Sequence, residues 1–175
     1  MPGSTSAARA PSRKTTDAVR PRLAFTRESR SLENLLRVPR LHSNSAMKFE
    51  HFALNVPDVH AHVQWYVQHL GFTIARKREG APFMHFLADD TGRIIVELYS
   101  NPKAPYPDYA SAHPLLFHIA LVATDAKAER TRLEQAGAQL FLEEPQPDGS
   151  LLIMMRDPWG VPLQLCQRTI PFSLP

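Results

Sequence analysis

His51 stands 46 positions before Glu97, and His118 stands 46 positions before Gln164. Imidazole nitrogens, carboxylates and amide oxygens can all donate to divalent cations, so the two pairs put side chains able to bind a metal at equivalent places in the chain. A second interval agrees, since His51 to Asp58 and His118 to Asp125 are both seven positions. Glu97 sits in the apolar run Ile95-Val96-Glu97-Leu98, where an unpaired carboxylate is costly to bury and calls for a cation. The structural alternative for each histidine is a hydrogen-bonded place on the inward face of a strand. For Gln164 it is a cap on an apolar cavity.

The pattern around these residues reads as one unit written twice. Residues 48–56 alternate, with Phe52, Leu54 and Val56 on one face and His51, Ala53 and Asn55 on the other, the mark of a half-buried strand. Asp58 offers an N-cap for a helix through Leu70, whose Val59, Val63, Val67 and Leu70 form an apolar stripe, and Gly71 ends it. Strands are predicted over residues 72–77, 82–88 and 93–99. A Pro-rich loop over residues 100–114 follows, and the order then recurs: strand 115–123, helix 125–136 with Gly137 as its stop, and strands 139–142, 150–156 and 161–167. The expected fold is α+β, with two βαβββ modules over residues 47–99 and 115–168. Two such halves can pair about a pseudo-twofold axis around a central cleft.

Other side chains are read structurally. His85, between Met84 and Phe86, is a packed or rim histidine, with a cavity-facing acid/base role as its alternative. Cys166 shares a face with Gln164 at period two and reads as a small core residue. His60, His62 and His69 do not converge on one helix face and are assigned to solvent. Arg76, Lys77 and Arg78 read as a solvated strand end, and Phe83, Tyr99, Met154 and Trp159 as core or pocket wall. The loop over residues 101–109 is long enough for a lid, but its prolines favour a stiff connector.

Composition bounds the function. Cys166 is the single thiol of 175 residues, which excludes a disulfide scaffold and a multi-cysteine zinc site. No apolar stretch approaches the roughly 18 residues of a spanning helix. The net charge of +3 is uneven: residues 1–46 hold nine Lys/Arg against three acids, whereas residues 47–175 hold eleven against fourteen. The first stretch, rich in Ser, Thr and Pro, is expected to be a disordered basic extension. Its readings are translation from Met47, an organelle-targeting segment, or an electrostatic arm. The body is mildly acidic and gives no reason to expect nucleic acid.

Four segments carry a resemblance: residues 49–56 (FEHFALNV), 95–98 (IVEL), 116–121 (LFHIAL) and 157–165 (DPWGVPLQL). In order and spacing they resemble the vicinal oxygen chelate superfamily, which includes glyoxalase I, fosfomycin-resistance proteins, methylmalonyl-CoA epimerase, extradiol dioxygenases and bleomycin-binding proteins. The resemblance covers residues 47–171. It implies a half-barrel cleft in which His51, Glu97, His118 and Gln164 hold one divalent metal (Fe, Mn, Ni, Co or Zn) and two adjacent substrate oxygens take the open positions. It also implies a homodimer.

Gln164 stands where metal-dependent relatives typically have Glu. The amide keeps an oxygen donor but loses a charge and cannot shuttle a proton, so Glu97 remains as the carboxylate base of the set. The glutathione-anchoring arginines of glyoxalase I would fall near Asn55 and Pro114, neither of them basic, while Asn101 resembles an asparagine that contacts glutathione in that enzyme. The expected function is metal-dependent lyase, isomerase or transferase chemistry on a small oxygenated substrate. An Fe(II) extradiol-type dioxygenase and a non-catalytic antibiotic- or toxin-binding protein are the alternatives. The expected setting is cytoplasmic, with organelle import through the basic extension as its alternative, and without membrane or nucleic-acid partners.

Overall fold

The computed structural model describes residues 47–172, and the reading of residues 1–46 lies outside them. The first module runs β1 (Phe52–Asn55), α1 (Val59–Leu70), β2 (Thr73–Lys77), β3 (His85–Ala88) and β4 (Ile94–Tyr99). The second runs β5 (Ile119–Val122), α2 (Ala126–Gln135), β6 (Gln139–Pro145), β7 (Leu151–Arg156) and β8 (Pro162–Gln167). Each builds a four-stranded sheet, ordered β1-β4-β3-β2 and β5-β8-β7-β6. In each the first and fourth strands pair parallel and the remaining pairs are antiparallel.

The helices begin where the capping residues stand. Asp58 accepts from the Ala61 N–H at 3.0 Å, and Asp125 repeats that bond with Ala128 at 3.0 Å. Gly71 closes α1 in the left-handed region at φ 74. Several strands are shorter than the alternation predicts. Phe83 turns back to bond Gly80, which delays β3 to His85, and Leu116 bonds the His113 carbonyl, which delays β5 to Ile119. In contrast, β6 runs on to Pro145, past a bulge between Leu140 and Leu142. As an exposed edge strand it buries too little on either face to write a clear period into the sequence.

One face of each sheet is packed with its helix into a common core. Val59, Tyr66, Leu87, Val96 and Leu98 of the first module and Leu133, Ile153, Met155 and Leu163 of the second are fully buried there. The repeat extends to the helix ends. Trp65 Nε1 donates to the Ala136 carbonyl at 2.8 Å, and Arg132 Nη2 donates to the His69 carbonyl at 2.8 Å. Donors and acceptors are each 67 positions apart, so each helix satisfies a terminal carbonyl of the other.

The turns into the fourth strands are repeated as well. Asp89 Oδ1 accepts from the backbone of Thr91 and Arg93, and Asp157 Oδ1 accepts from that of Trp159 and Val161. Gly160, in the second turn, has φ 89, and a Cβ there would lie 2.6 Å from the Ala110 Cα. That contact is with backbone and cannot be relieved by a rotamer change. Gly160→Ala is therefore expected to lower unfolding free energy by about 3 kcal/mol or more in urea denaturation, combining left-handed strain with overpacking.

Candidate metal centre

The register places the four residues singled out by spacing. Glu97 lies opposite Ala53 on β1 and Phe86 on β3, and His51 precedes Ala53 by two residues on the same face. Gln164 lies opposite Ala120 and Met154, with His118 two residues before Ala120. Both pairs occupy the sheet faces turned away from the helices.

In the first module the pair is in contact. His51 Nε2 lies 3.2 Å from Glu97 Oε2, and both side chains are largely buried. The Phe86 ring packs edge-on against the imidazole at 5.2 Å between centroids. His51 Nδ1 comes within 2.8 Å of Glu50 Oε2, yet the approach lacks hydrogen-bond alignment, and Nδ1 is a buried nitrogen with no bonded partner among the described residues. The ring thus lies between the Glu50 and Glu97 carboxylates.

In the second module the donors are tied locally. His118 Nδ1 lies 3.1 Å from the Pro114 carbonyl, which fixes the proton on Nδ1 and leaves Nε2 as the electron-pair donor. Gln164 Oε1 accepts from the Cys166 thiol at 3.4 Å. Burial pushes the Cys166 thiol above its ordinary pKa, with Arg168 opposing. The thiol therefore acts as a donor to the amide rather than as a nucleophile.

The donor set suits a borderline divalent cation, with two imidazoles, one carboxylate and one amide oxygen. Within one chain it is divided. Among the described residues no three His, Cys, Asp or Glu side chains converge, so His118 does not join His51 and Glu97. The open face of the second sheet also leaves apolar surface exposed, most of all at Val122, 95% accessible, beside Ala120 on β5.

One other residue is placed differently from the sequence reading. His62 is not solvated but fully buried: its Nε2 donates to Asp157 Oδ2 at 2.6 Å, and its ring stacks on Trp159 at 4.2 Å. Tyr66 donates to the same oxygen at 3.1 Å, and burial first, then the Asp157 charge, pushes its hydroxyl well above the ordinary phenol pKa. Three imidazoles on one helix looked alike in sequence. The sign that distinguished His62 was its spacing of four from Tyr66, which puts both on the face that meets the Asp157 turn. Trp159, in consequence, packs half-buried against the core. His85 lies opposite Leu98, on the helix-covered face and away from Glu97.

Asn101, the residue resembling a glutathione contact, is tied to Asn55 through its backbone, while its side-chain Oδ1 accepts from the Lys103 N–H at 3.1 Å. Its N–H donates to Asn55 Oδ1 at 2.8 Å, and Asn55 Nδ2 donates back to the Asn101 carbonyl at 3.0 Å. The following loop is held by Arg156, whose guanidinium donates to the carbonyls of Tyr109 at 2.7 Å, Gly160 at 2.9 Å and Ala112 at 2.8 Å. These bonds favour the connector over the lid. No helix among the described residues is long and apolar enough to cross a membrane.

Solved structures share this architecture. A single-residue variant of glyoxalase I from Zea mays superposes with a TM-score of 0.57 at 21% identity, over 70% of this chain and 45% of the maize chain. TnmS3, an antibiotic binding protein from Streptomyces sp. CB03234, gives a TM-score of 0.54 at 21% identity, covering 71% of this chain and 98% of its own. A glyoxylase/bleomycin resistance protein/dioxygenase domain from Frankia sp. EAN1pec gives 0.52 at 18% identity, covering 70% and 92%. These likenesses speak for the fold alone. No curated protein sequence matches. The profile of one superfamily matches residues 48–165, about two thirds of the chain and nearly all of both modules. The chain belongs to the Glyoxalase/Bleomycin resistance protein/Dioxygenase superfamily.

Proposed function

We propose that the protein is a metal-dependent enzyme of the glyoxalase type, acting by lyase, isomerase or transferase chemistry on a small substrate with two adjacent oxygens. The observation that carries this reading is the His51–Glu97 contact at 3.2 Å, at a register position that the second module repeats with His118 and Gln164. His51, Glu97, His118 and Gln164 would hold Fe, Mn, Ni, Co or Zn. A metal bound there supplies polarisation of a substrate carbonyl or enol oxygen. Glu97 is the set's proton acceptor, at Oε2, because the Gln164 amide cannot take one. Phe86 and Met154, which neighbour Glu97 and Gln164 in the registers, give the site apolar walls that limit water.

We assign the completion of the site to a second copy of the chain. A homodimer in which the open face of one first module meets the open face of the other chain's second module joins the two half-sets and covers the exposed apolar surface. The single thiol fits a cytoplasmic setting.

Gln164→Glu tests the donor set. If the Gln164 oxygen faces the metal, the added charge is expected to tighten Mn²⁺ or Zn²⁺ binding by on the order of tenfold in chelator competition. Unchanged affinity places the side chain outside the metal's coordination. Two imidazoles with one carboxylate also suit Fe(II), so oxygen uptake with a catechol panel separates a dioxygenase from the proposed lyase-type chemistry. Stoichiometric binding of a small molecule to metal-free protein, without turnover, would instead identify a sequestering protein.

A further inference from the structure

A second pair of histidines faces a groove of about 460 Å³ on the helix side of the first sheet, lined also by Val63, Gln64, Val67 and Ile74. His85 projects into it from β3 and is only 5% exposed. Its Nδ1 is bonded to the Phe83 carbonyl at 2.7 Å, which puts the proton on Nδ1 and the lone pair on Nε2. Nε2 has no hydrogen-bond partner among the described residues. An imidazole anchored by one nitrogen to a carbonyl, with the other free, is the arrangement that prepares histidine to ligate a metal.

His60 faces it from the first turn of α1, its ring centroid 5.5 Å from that of His85 and nearly perpendicular at 87°. An ion about 2 Å from a nitrogen of each ring, at a tetrahedral angle, sets the two centroids about 5 Å apart, so the rings are already close to a chelating separation. Phe83 supports both, giving its carbonyl to His85 and packing its ring on His60 at 5.3 Å. The Glu79 carboxyl, paired with Lys77 at 2.6 Å and held below its ordinary range mainly by it, also feels both imidazoles.

We propose that His60 and His85 form a second metal site, for a borderline divalent cation such as Zn²⁺, with water at the remaining positions. The site belongs to the first module alone, because the residues 67 positions later are Lys127 and Leu152. It lies on the opposite sheet face from Glu97 and shares no residue with the proposed centre. Bound metal would link the start of α1 to β3 and raise thermal stability by favouring the folded state.

The test uses the full chain carrying His51→Ala and Glu97→Ala, which removes the proposed catalytic centre and leaves the second site. Zn²⁺ is titrated against a chromogenic chelator, and melting curves are recorded with and without Zn²⁺. One Zn²⁺ per chain and a rise in Tm are expected. Adding His60→Ala is expected to weaken that binding by on the order of 100-fold and abolish the Tm rise. His60 is exposed, so this variant is expected to keep the metal-free Tm of its parent; His85→Ala is a second check if it folds. Absence of Zn²⁺ binding in the parent, or binding and Tm rise unchanged by His60→Ala, overturns the proposal whatever the fate of the His51–Glu97 centre.

Discussion

Asp157→Ala is expected to lower the unfolding free energy by about 3–5 kcal/mol, the range for removing one partner of a buried charged or hydrogen-bonded pair. The carboxylate accepts four hydrogen bonds. Oδ2 takes those of His62 at 2.6 Å and Tyr66 at 3.1 Å, and Oδ1 takes the backbone N–H groups of Trp159 at 3.0 Å and Val161 at 2.8 Å. Alanine leaves the imidazole and phenol donors buried without an acceptor and releases the turn that delivers β8, and with it Gln164. His62 Nδ1 already lacks a partner, so the ring has no alternative bond among the described residues. Urea denaturation gives the number directly. Asp157→Asn, which keeps one acceptor oxygen, should lose less. An unfolding free energy for Asp157→Ala within about 0.5 kcal/mol of the parent would show that the network contributes little.

The same residue marks how far the sequence could be read. Both βαβββ units were visible because burial on one face imposed period two on β1, β4, β7 and β8, and because Asp58 and Asp125 announced the helices. The equal spacing of His51 with Glu97 and of His118 with Gln164 was visible too, since the repeat carries it. What did not show was whichever property depended on contacts between separate elements. His62, His60 and His69 share one helix and differ only in what the other elements bring to them: the Asp157 turn buries the first, Phe83 and β3 meet the second, and Arg132 reaches the carbonyl of the third. The edge strand β6 escaped notice beyond Leu142 because its exposed residues bury neither face consistently. That the donor set is split between two sheet faces is likewise a long-range fact, invisible to spacing.

Glu97→Ala is the second large effect. The side chain is the carboxylate nearest His51 Nε2 and the proton acceptor of the proposed set. Its removal is expected to weaken metal binding by more than about 100-fold, beyond the usual effect of changing an outer-shell partner. Turnover should fall to background with it. Because Glu97 is on the open sheet face and not within the helix-covered core, folding should survive, so circular dichroism is expected to stay near that of the parent. Metal content per chain, measured by plasma mass spectrometry after loading and desalting, is the readout. Parent-level metal in Glu97→Ala removes Glu97 from the centre.

The central claim is that one metal site is assembled from His51 and Glu97 of one copy and His118 and Gln164 of another. It is tested most directly by mixing His51→Ala with His118→Ala under conditions that exchange subunits and measuring bound metal. To keep the count to this centre, both chains carry His60→Ala. Each variant alone is expected to hold no metal there. A mixed dimer has one intact site and one doubly defective site, so the mixture is expected to regain binding that neither parent shows. If mass spectrometry finds mixed dimers and no metal returns, the two half-sets are not joined across copies, and the proposed centre is wrong.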